Sequence, residues 1–302
     1  MTAAPLQAEI QIDEHASASD VRAYLEPNRL MTAYALADLD PASGDRSRWW
    51  LARRDGEPVA CALLVETVPY RPCYATGESE ALAQLLREGV REPRLLIATP
   101  PSSRLAVESV YRFERMDRMH RMVVGVRKFR PRISHRVVRI APERLDDVID
   151  LYGHASSSYF TTGRLAREIY FGIYAGSQLV AAAGTHVRSA ESGIAAVGNV
   201  LTRVAYRARG MATSVTSAVT EAALEEHRDV VLNVRQDNVT AIAVYTKLGY
   251  GSHAQFVEGP AMRRTGFDRI RQIVDLIGGS VLPPMPRSGP GRRPEIERET
   301  NP

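Results

Sequence analysis

Val200 to Tyr250 reads VLTRVAYRARGMATSVTSAVTEAALEEHRDVVLNVRQDNVTAIAVYTKLGY, and the order of elements in it decides the fold. A strand ends near Thr202. The loop Tyr206-Arg207-Ala208-Arg209-Gly210 then turns into a helix that starts near Met211. A helix N-terminus presents free backbone N–H groups and a partial positive charge. Gly210 lets the backbone approach a ligand closely, Ala212 keeps the first turn uncrowded, and Arg207 and Arg209 add charge. This is a phosphate-binding layout. It is neither a Walker loop nor a Rossmann fingerprint, because GxxxxGK[ST] and GxGxxG are both missing. Within Arg209–His227, Met211, Val215, Ala218, Val219 and Ala222 fall on one face at helical spacing. VVLNV (Val230–Val234) reads as a short buried strand, and Asn238–Leu248 as a helix closed by Gly249.

Two blocks of this stretch resemble a known family. Arg207-x-x-Gly210-x-Ala212 is similar to the diphosphate-binding motif (Gln or Arg)-x-x-Gly-x-(Gly or Ala) of the GNAT superfamily of N-acetyltransferases. Asn238-x-x-Ala241-x-x-x-Tyr245-x-x-Leu248-Gly249-Tyr250 resembles that family's second signature, with matching order, spacing and element type. The resemblance implies a GNAT-type mixed central sheet flanked by helices and acetyl-CoA as the acyl donor. By that resemblance the backbone of Val200 and Thr202 pairs with the pantetheine arm and polarises the thioester carbonyl. Amides from Ala208 through Arg209, Gly210, Met211 and Ala212 to Thr213 hold the diphosphate. Asn238 contacts the pantetheine or orders the loop, Ala241 is a further cofactor-binding position, and Tyr245 sits near the thioester sulfur as a proton donor. Asn238 is also simply a good helix N-cap.

The sequence departs from the family at the base. Where many members carry a Glu on the strand before the loop, this chain has Ile194-Ala195-Ala196-Val197-Gly198-Asn199. The candidate bases elsewhere are His186, Glu258 and His154; a water chain or an amine that arrives neutral would serve as well. A non-catalytic acyl-CoA-binding regulatory module is the alternative that the missing carboxylate favours. The acceptor class is a small-molecule or peptide primary amine, and a homodimer is left open.

Outward from this core, Tyr170–Tyr174 and Gln178–Val187 form a strand pair around Ala175-Gly176-Ser177, and Asp146–Tyr152 a helix. Strands follow Tyr250 at His253–Glu258 and Pro260–Arg264. Upstream, Trp49–Val65 reads as two strands around the Asp55-Gly56 turn. Residues 17–40 and Glu78–Gly89 read as helical, Arg94–Thr99 and Met116–Val126 as strands, Ser102 or Ser103 as the cap of a helix through Tyr111, and the first dozen residues as a frayed arm. The hairpins WWLARRDGEPVACALLV and YFGIYAGSQLVAAAGTHV share an aromatic start, a turn glycine and a Val-Ala strand. The sequence therefore predicts a two-domain α/β protein. Residues 1–130 form an α/β domain read as a degenerate GNAT-like copy that walls the acceptor pocket, 131–264 the catalytic GNAT domain, and 265–302 a short helix (Asp268–Ile277) and a disordered Pro- and Arg-rich tail.

The 302 residues carry 39 Lys and Arg against 35 Asp and Glu, and only Lys128 and Lys247 are lysines. The interspersed charge lacks the basic stripe of a nucleic-acid face, though a mild positive field suits a phosphate-rich ligand. No apolar run reaches the roughly 20 residues of a membrane helix, and no signal-peptide layout opens the chain, so the expected location is cytoplasmic. Cys61 and Cys73 make neither a disulfide framework nor a zinc site, and the seven histidines show no metal-binding spacing.

Overall fold

The computed structural model describes residues 9–40, 47–66 and 71–265. The expected helix at Asp268–Ile277 and the tail lie outside them. Asp55 (φ 52°) and Gly56 (φ 84°) are both left-handed, as a type I′ hairpin turn requires. They join β2 (Ser47–Arg54) to β3 (Glu57–Val65). Where the arm read as frayed enters the described residues it forms an edge strand, β1 (Ile10–Asp13), paired antiparallel with β2. Ile10 and Ile12 anchor it against the core. The helical stretch expected over 17–40 is broken into α1 (Ala18–Leu25), a 3-10 turn (Glu26–Asn28) and α2 (Ala33–Asp38). Pro27, which has no N–H to donate, causes the break.

The first half continues with β4 (Pro72–Gly77), α3 (Ser79–Glu88), β5 (Arg94–Thr99), α4 (Arg104–Glu108), β6 (Tyr111–Phe113) and β7 (Asp117–Gly125). Strand β4 was not legible in the sequence. Ser103 takes the N-cap position of α4 without a capping bond, its hydroxyl being bonded instead to the N–H and the carbonyl of Gly77, and the helix expected through Tyr111 ends at Glu108. The second half contains β8 (Val138–Arg139), α5 (Leu145–Tyr152), α6 (Thr162–Arg167), β9 (Tyr170–Ala175), β10 (Gln178–Ser189) and β11 (Ile194–Thr202). It ends with α7 (Met211–Glu226), β12 (Asp229–Arg235), α8 (Val239–Lys247) and β13 (Gly251–Arg263). The two strands expected after Tyr250 are one continuous strand, β13. No described helix is long and apolar enough to cross a membrane.

The halves repeat one plan within a single mixed sheet. β1 to β5 run inward in order from one edge, and β8 to β12 run inward from the other. In each half the fourth and fifth strands are the parallel pair, β4 with β5 and β11 with β12. The two hairpins whose sequences resemble each other, β2–β3 and β9–β10, hold equivalent places.

At the centre the halves trade strands. β7 leaves the first half and lies between β12 and β13, with Leu232 opposite Met122 and Gln255 opposite His120. β13 then runs on between β5 and β6, with Gly259 opposite Ile97 and Ala261 opposite Phe113. The cores follow the exchange. Met122 and Val124 of β7 pack with Val215, Val219 and Ala223 of α7, while Ala261 of β13 packs with Leu82, Leu85 and Leu86 of α3. The sheet thus crosses the 130/131 boundary in both directions. Buried aliphatic side chains are each worth about 1.5–3 kcal/mol, so each half depends on apolar surface supplied by the other.

The first half also reaches over the second through its early helices. Arg29 pairs with Asp229, Arg22 donates to the Ser192 hydroxyl (3.0 Å), and that hydroxyl donates to Glu26 (3.1 Å). Ala33 and Tyr34 of α2 pack on a sheet face formed by Ala196, Val231 and Val123.

Candidate active site

Parallel pairing of β11 with β12 ends at Val197↔Leu232, although both strands continue, to Thr202 and Arg235. Beyond that pair the two strands are no longer paired with each other, which leaves the ladder open there. Along β10 the register breaks over Asn199 and Val200, where Asn199 takes φ 52°. Main-chain groups of Val200 are therefore left outside both ladders, at the edge of the opening. Thr202 is 8 % exposed and its hydroxyl has no hydrogen-bond partner among the described residues. Its carbonyl accepts a bond from Arg207 Nε at 3.1 Å, so Arg207 ties the loop to the strand.

The loop after β11 turns twice through left-handed conformations, at Ala208 (φ 60°) and Gly210 (φ 78°). Such alternation gathers successive N–H groups into an anion-binding concavity. Gly210 caps α7, and no side chain bonds the helix's first amides. Residues Arg207 to Gly210 are exposed, while Met211, Ala212 and Thr213 are half-buried. A Cβ at Gly210 would meet only His135 Cε1 at 3.6 Å and Ser134 Oγ at 3.7 Å. Those two residues, not singled out in the sequence, are held beside the turn by Ser214: its hydroxyl accepts from the Ser134 N–H (3.1 Å) and lies 3.1 Å from His135 Nδ1. The residues present fit a diphosphate: free amides, no plug, and Arg209 stacked on Tyr206 at the rim.

Asn238 caps α8 through its side-chain oxygen, which accepts from the Ala241 N–H at 3.1 Å. That oxygen is committed to the helix, and the amide nitrogen is left for a ligand. Tyr245, one turn beyond Ala241, is 7 % exposed, and burial raises its hydroxyl pKa to about 12. It is a proton donor at every ordinary pH and makes no hydrogen bond among the described residues.

On the opposite face of the sheet the structure gathers residues from both halves. Tyr34 of α2 lies edge-on to His186 (5.5 Å between ring centroids), and Tyr159 flanks the same imidazole at 5.4 Å. The fields of Arg121, Glu258, Tyr159 and Tyr245 all act on the Tyr34 hydroxyl. Tyr34 also lies under the Arg121 guanidinium at 4.8 Å, so it stands between His186 of β10 and Arg121 of β7. Burial raises the Glu258 pKa against the opposing pull of Arg121. His154 lies apart, exposed on a 3-10 turn. Asn199 ends the stretch that lacks a carboxylate; its side-chain amide donates to Tyr159 (3.1 Å) and Tyr170 (3.0 Å), and its main-chain carbonyl accepts from Tyr152.

His186 carries a pH signature. Burial, reinforced by Arg164, lowers its pKa from 6.5 to about 4. As the pH falls, the unfolded chain takes up the proton first. The contribution is therefore intact above 6.5 and is lost between there and about 4. The full loss is on the order of 3 kcal/mol. Urea midpoints measured at about pH 7.5 and about pH 4.5 should show a smaller acid-side drop in His186→Phe than in the parent chain.

The equivalent position in the first half is closed. Only Glu78 separates β4 from α3, and the Gly77 main chain is bonded to Ser103. Glu78 and Glu80, both paired with Arg54, put negative charge where a diphosphate would need positive.

Comparison with known proteins bears on the fold. Residues 170–257, from β9 through most of β13, match the family model of FR47-like protein. A tandem GNAT protein from the clavulanic acid biosynthesis pathway superposes with a TM-score of 0.54 at 16% identity, covering 84% of this chain and 98% of its own. A GCN5-related N-acetyltransferase from Sphaerobacter thermophilus gives 0.54 at 15% identity, covering 84% and 96%. A Drosophila protein gives 0.60 at 13% identity, covering 83% and 98%. These likenesses show the fold, a two-domain GNAT arrangement. No curated protein matches the sequence.

Proposed function

We propose, from a C-terminal half that belongs to the GNAT superfamily, that this chain transfers an acetyl or short acyl group from coenzyme A to a primary amine. The observation that carries the reading is the junction of the β11–β12 opening with the uncapped, doubly left-handed turn at Ala208–Gly210. The turn supplies diphosphate donors, and the strand edge at Val200 supplies main-chain groups for the pantetheine arm and the thioester carbonyl.

Transfer is direct. The amine nitrogen bonds to the thioester carbonyl carbon, the carbon–sulfur bond breaks, and the thiolate takes a proton from Tyr245. The proton lost by the amine passes to Glu258, whose raised pKa makes it a better base than an ordinary carboxylate. His186, with a pKa of about 4, is the weaker candidate and serves as a wall. A cysteine acyl-enzyme has no support: Cys61 and Cys73 are buried in the first half, and burial raises both thiol pKa values. Two free thiols suit the cytoplasmic location included in this proposal.

Thiol release from acetyl-CoA with a panel of primary amines tests the reading. Amine-dependent release is the expected result. Tyr245→Phe should lower kcat by about 10-fold and leave KM for acetyl-CoA unchanged, because a thiolate of pKa about 8.5 needs only modest help. The second reading, a binding module without catalysis, is favoured by the absence of a carboxylate from Ile194 to Asn199. Coenzyme A binding without amine-dependent release would decide for it.

A further inference from the structure

Arg121 projects from β7, the strand that the first half lends to the second, and is 3 % exposed. Its Nε and Nη1 atoms have no hydrogen-bond partner among the described residues. The guanidinium lies over the Tyr34 ring at 4.8 Å and the Phe256 ring at 5.4 Å. Glu258 is the acid whose field reaches it, yet the two form no salt bridge among the described residues. Directly across the ladder from Arg121 stands Asn233, and its side-chain oxygen is also buried without a partner among the described residues. Asn233 is the first residue of β12 past the last pair with β11, so it borders the opening.

A buried, unpaired guanidinium costs several kcal/mol, and the two rings offset only part of that. Neither Tyr34 nor Asn233 can neutralise it. The arrangement asks for an anion, and the planar fork of Arg matches a carboxylate through two parallel bonds. The neighbouring charge narrows the choice. Glu258 would repel a phosphate dianion but attracts an ammonium group, so the face offers one positive and one negative anchor.

Resting on the acyltransferase reading, we propose that Arg121 binds the acceptor, and that the acceptor is an amino carboxylate: Arg121 holds the carboxylate, and Asn233 accepts from the amine at the opening between β11 and β12. A zwitterion satisfies at once the two groups that the protein alone leaves unpaired. The first half then takes part in acceptor choice by supplying both Arg121 and Tyr34.

The test uses the full chain, acetyl-CoA and the standard amino acids, each set against its own carboxamide. Thiol release should favour the best amino acid over its carboxamide by about 100-fold in kcat/KM, the scale of a truncated buried charge pair. Arg121→Gln should bring that ratio close to one, mainly through KM for the amino acid. A merely structural Arg121 would lower both rates together and leave the ratio unchanged. Calorimetric titration of each protein with acetyl-CoA checks that the fold and the donor site survive. Equal use of acids and carboxamides by the parent chain overturns the proposal. So does the absence of transfer to any amino acid by protein that binds acetyl-CoA, while the coenzyme reading stands. Failure to bind acetyl-CoA sinks that reading first, and this one with it.

Discussion

Replacing Gly259 with alanine destabilises both halves of the protein together, by about 3 kcal/mol or more. Gly259 sits where β13 passes from one half into the other. A Cβ there would lie 1.9 Å from the Arg115 carbonyl oxygen and 3.0 Å from its carbon. Those are backbone atoms, so no side-chain rotation relieves the clash. Nor can the backbone move aside: on one flank Glu258 pairs with Asp117, and on the other the Glu114 N–H bonds to the Pro260 carbonyl at 2.8 Å. Against a total stability of about 5–15 kcal/mol, the loss is a large fraction. Urea unfolding followed by tryptophan fluorescence reports the first half, which holds Trp49 and Trp50. Coenzyme A binding reports the second. Both should shift to the same lower midpoint. A midpoint equal to that of the parent chain would contradict the strand exchange.

Gly210→Val produces the second large effect, on ligand affinity. The φ of 78° is unfavourable for a β-branched residue, with a cost of about 1–3 kcal/mol. Space is not the obstacle, since the nearest atoms to a new Cβ belong to the Ser134 and His135 side chains. The valine would lie beside the first amides of α7 and reorient the turn. Losing two hydrogen bonds to a charged group, each worth about 1.5–3 kcal/mol, weakens binding by at least about 100-fold. KM for acetyl-CoA should rise by that factor, while the urea midpoint falls only by what the strained turn costs, about 1–3 kcal/mol. A midpoint that moves with KM unchanged would remove the diphosphate from this turn.

Much of the second half was legible because its signals are local. Turn glycines, the Asn238 cap, the amphipathic face of α7 and the short VVLNV strand each lie within one window of sequence. The strand exchange has no such signature. Arg121 opposite Asn233, and Ala261 opposite Phe113, are pairings between residues more than a hundred positions apart. β13 was divided at Gly259 because an isolated glycine inside a strand pattern suggests a break; here the missing side chain makes room for a crossing backbone. β4 was hidden by its proline, cysteine and glycine, and β1 by the polar residues of an edge strand. The same distinction applies to the site. The loop, Asn238 and Tyr245 follow one another along the chain, whereas Tyr34, Arg121 and His186 meet only through the fold. Asn199 could have been noticed as the polar residue that ends the stretch lacking the expected carboxylate.

The central claim is that main-chain donors around Gly210 grip a diphosphate whose attached pantetheine arm enters between β11 and β12. Calorimetric titration of the purified chain with coenzyme A, and separately with pantetheine, addresses it most directly. Saturable heat with coenzyme A, and affinity weaker by at least about 100-fold for pantetheine without the diphosphate, is the result this structure predicts. Equal affinity for the two ligands, or no heat with coenzyme A, would contradict it.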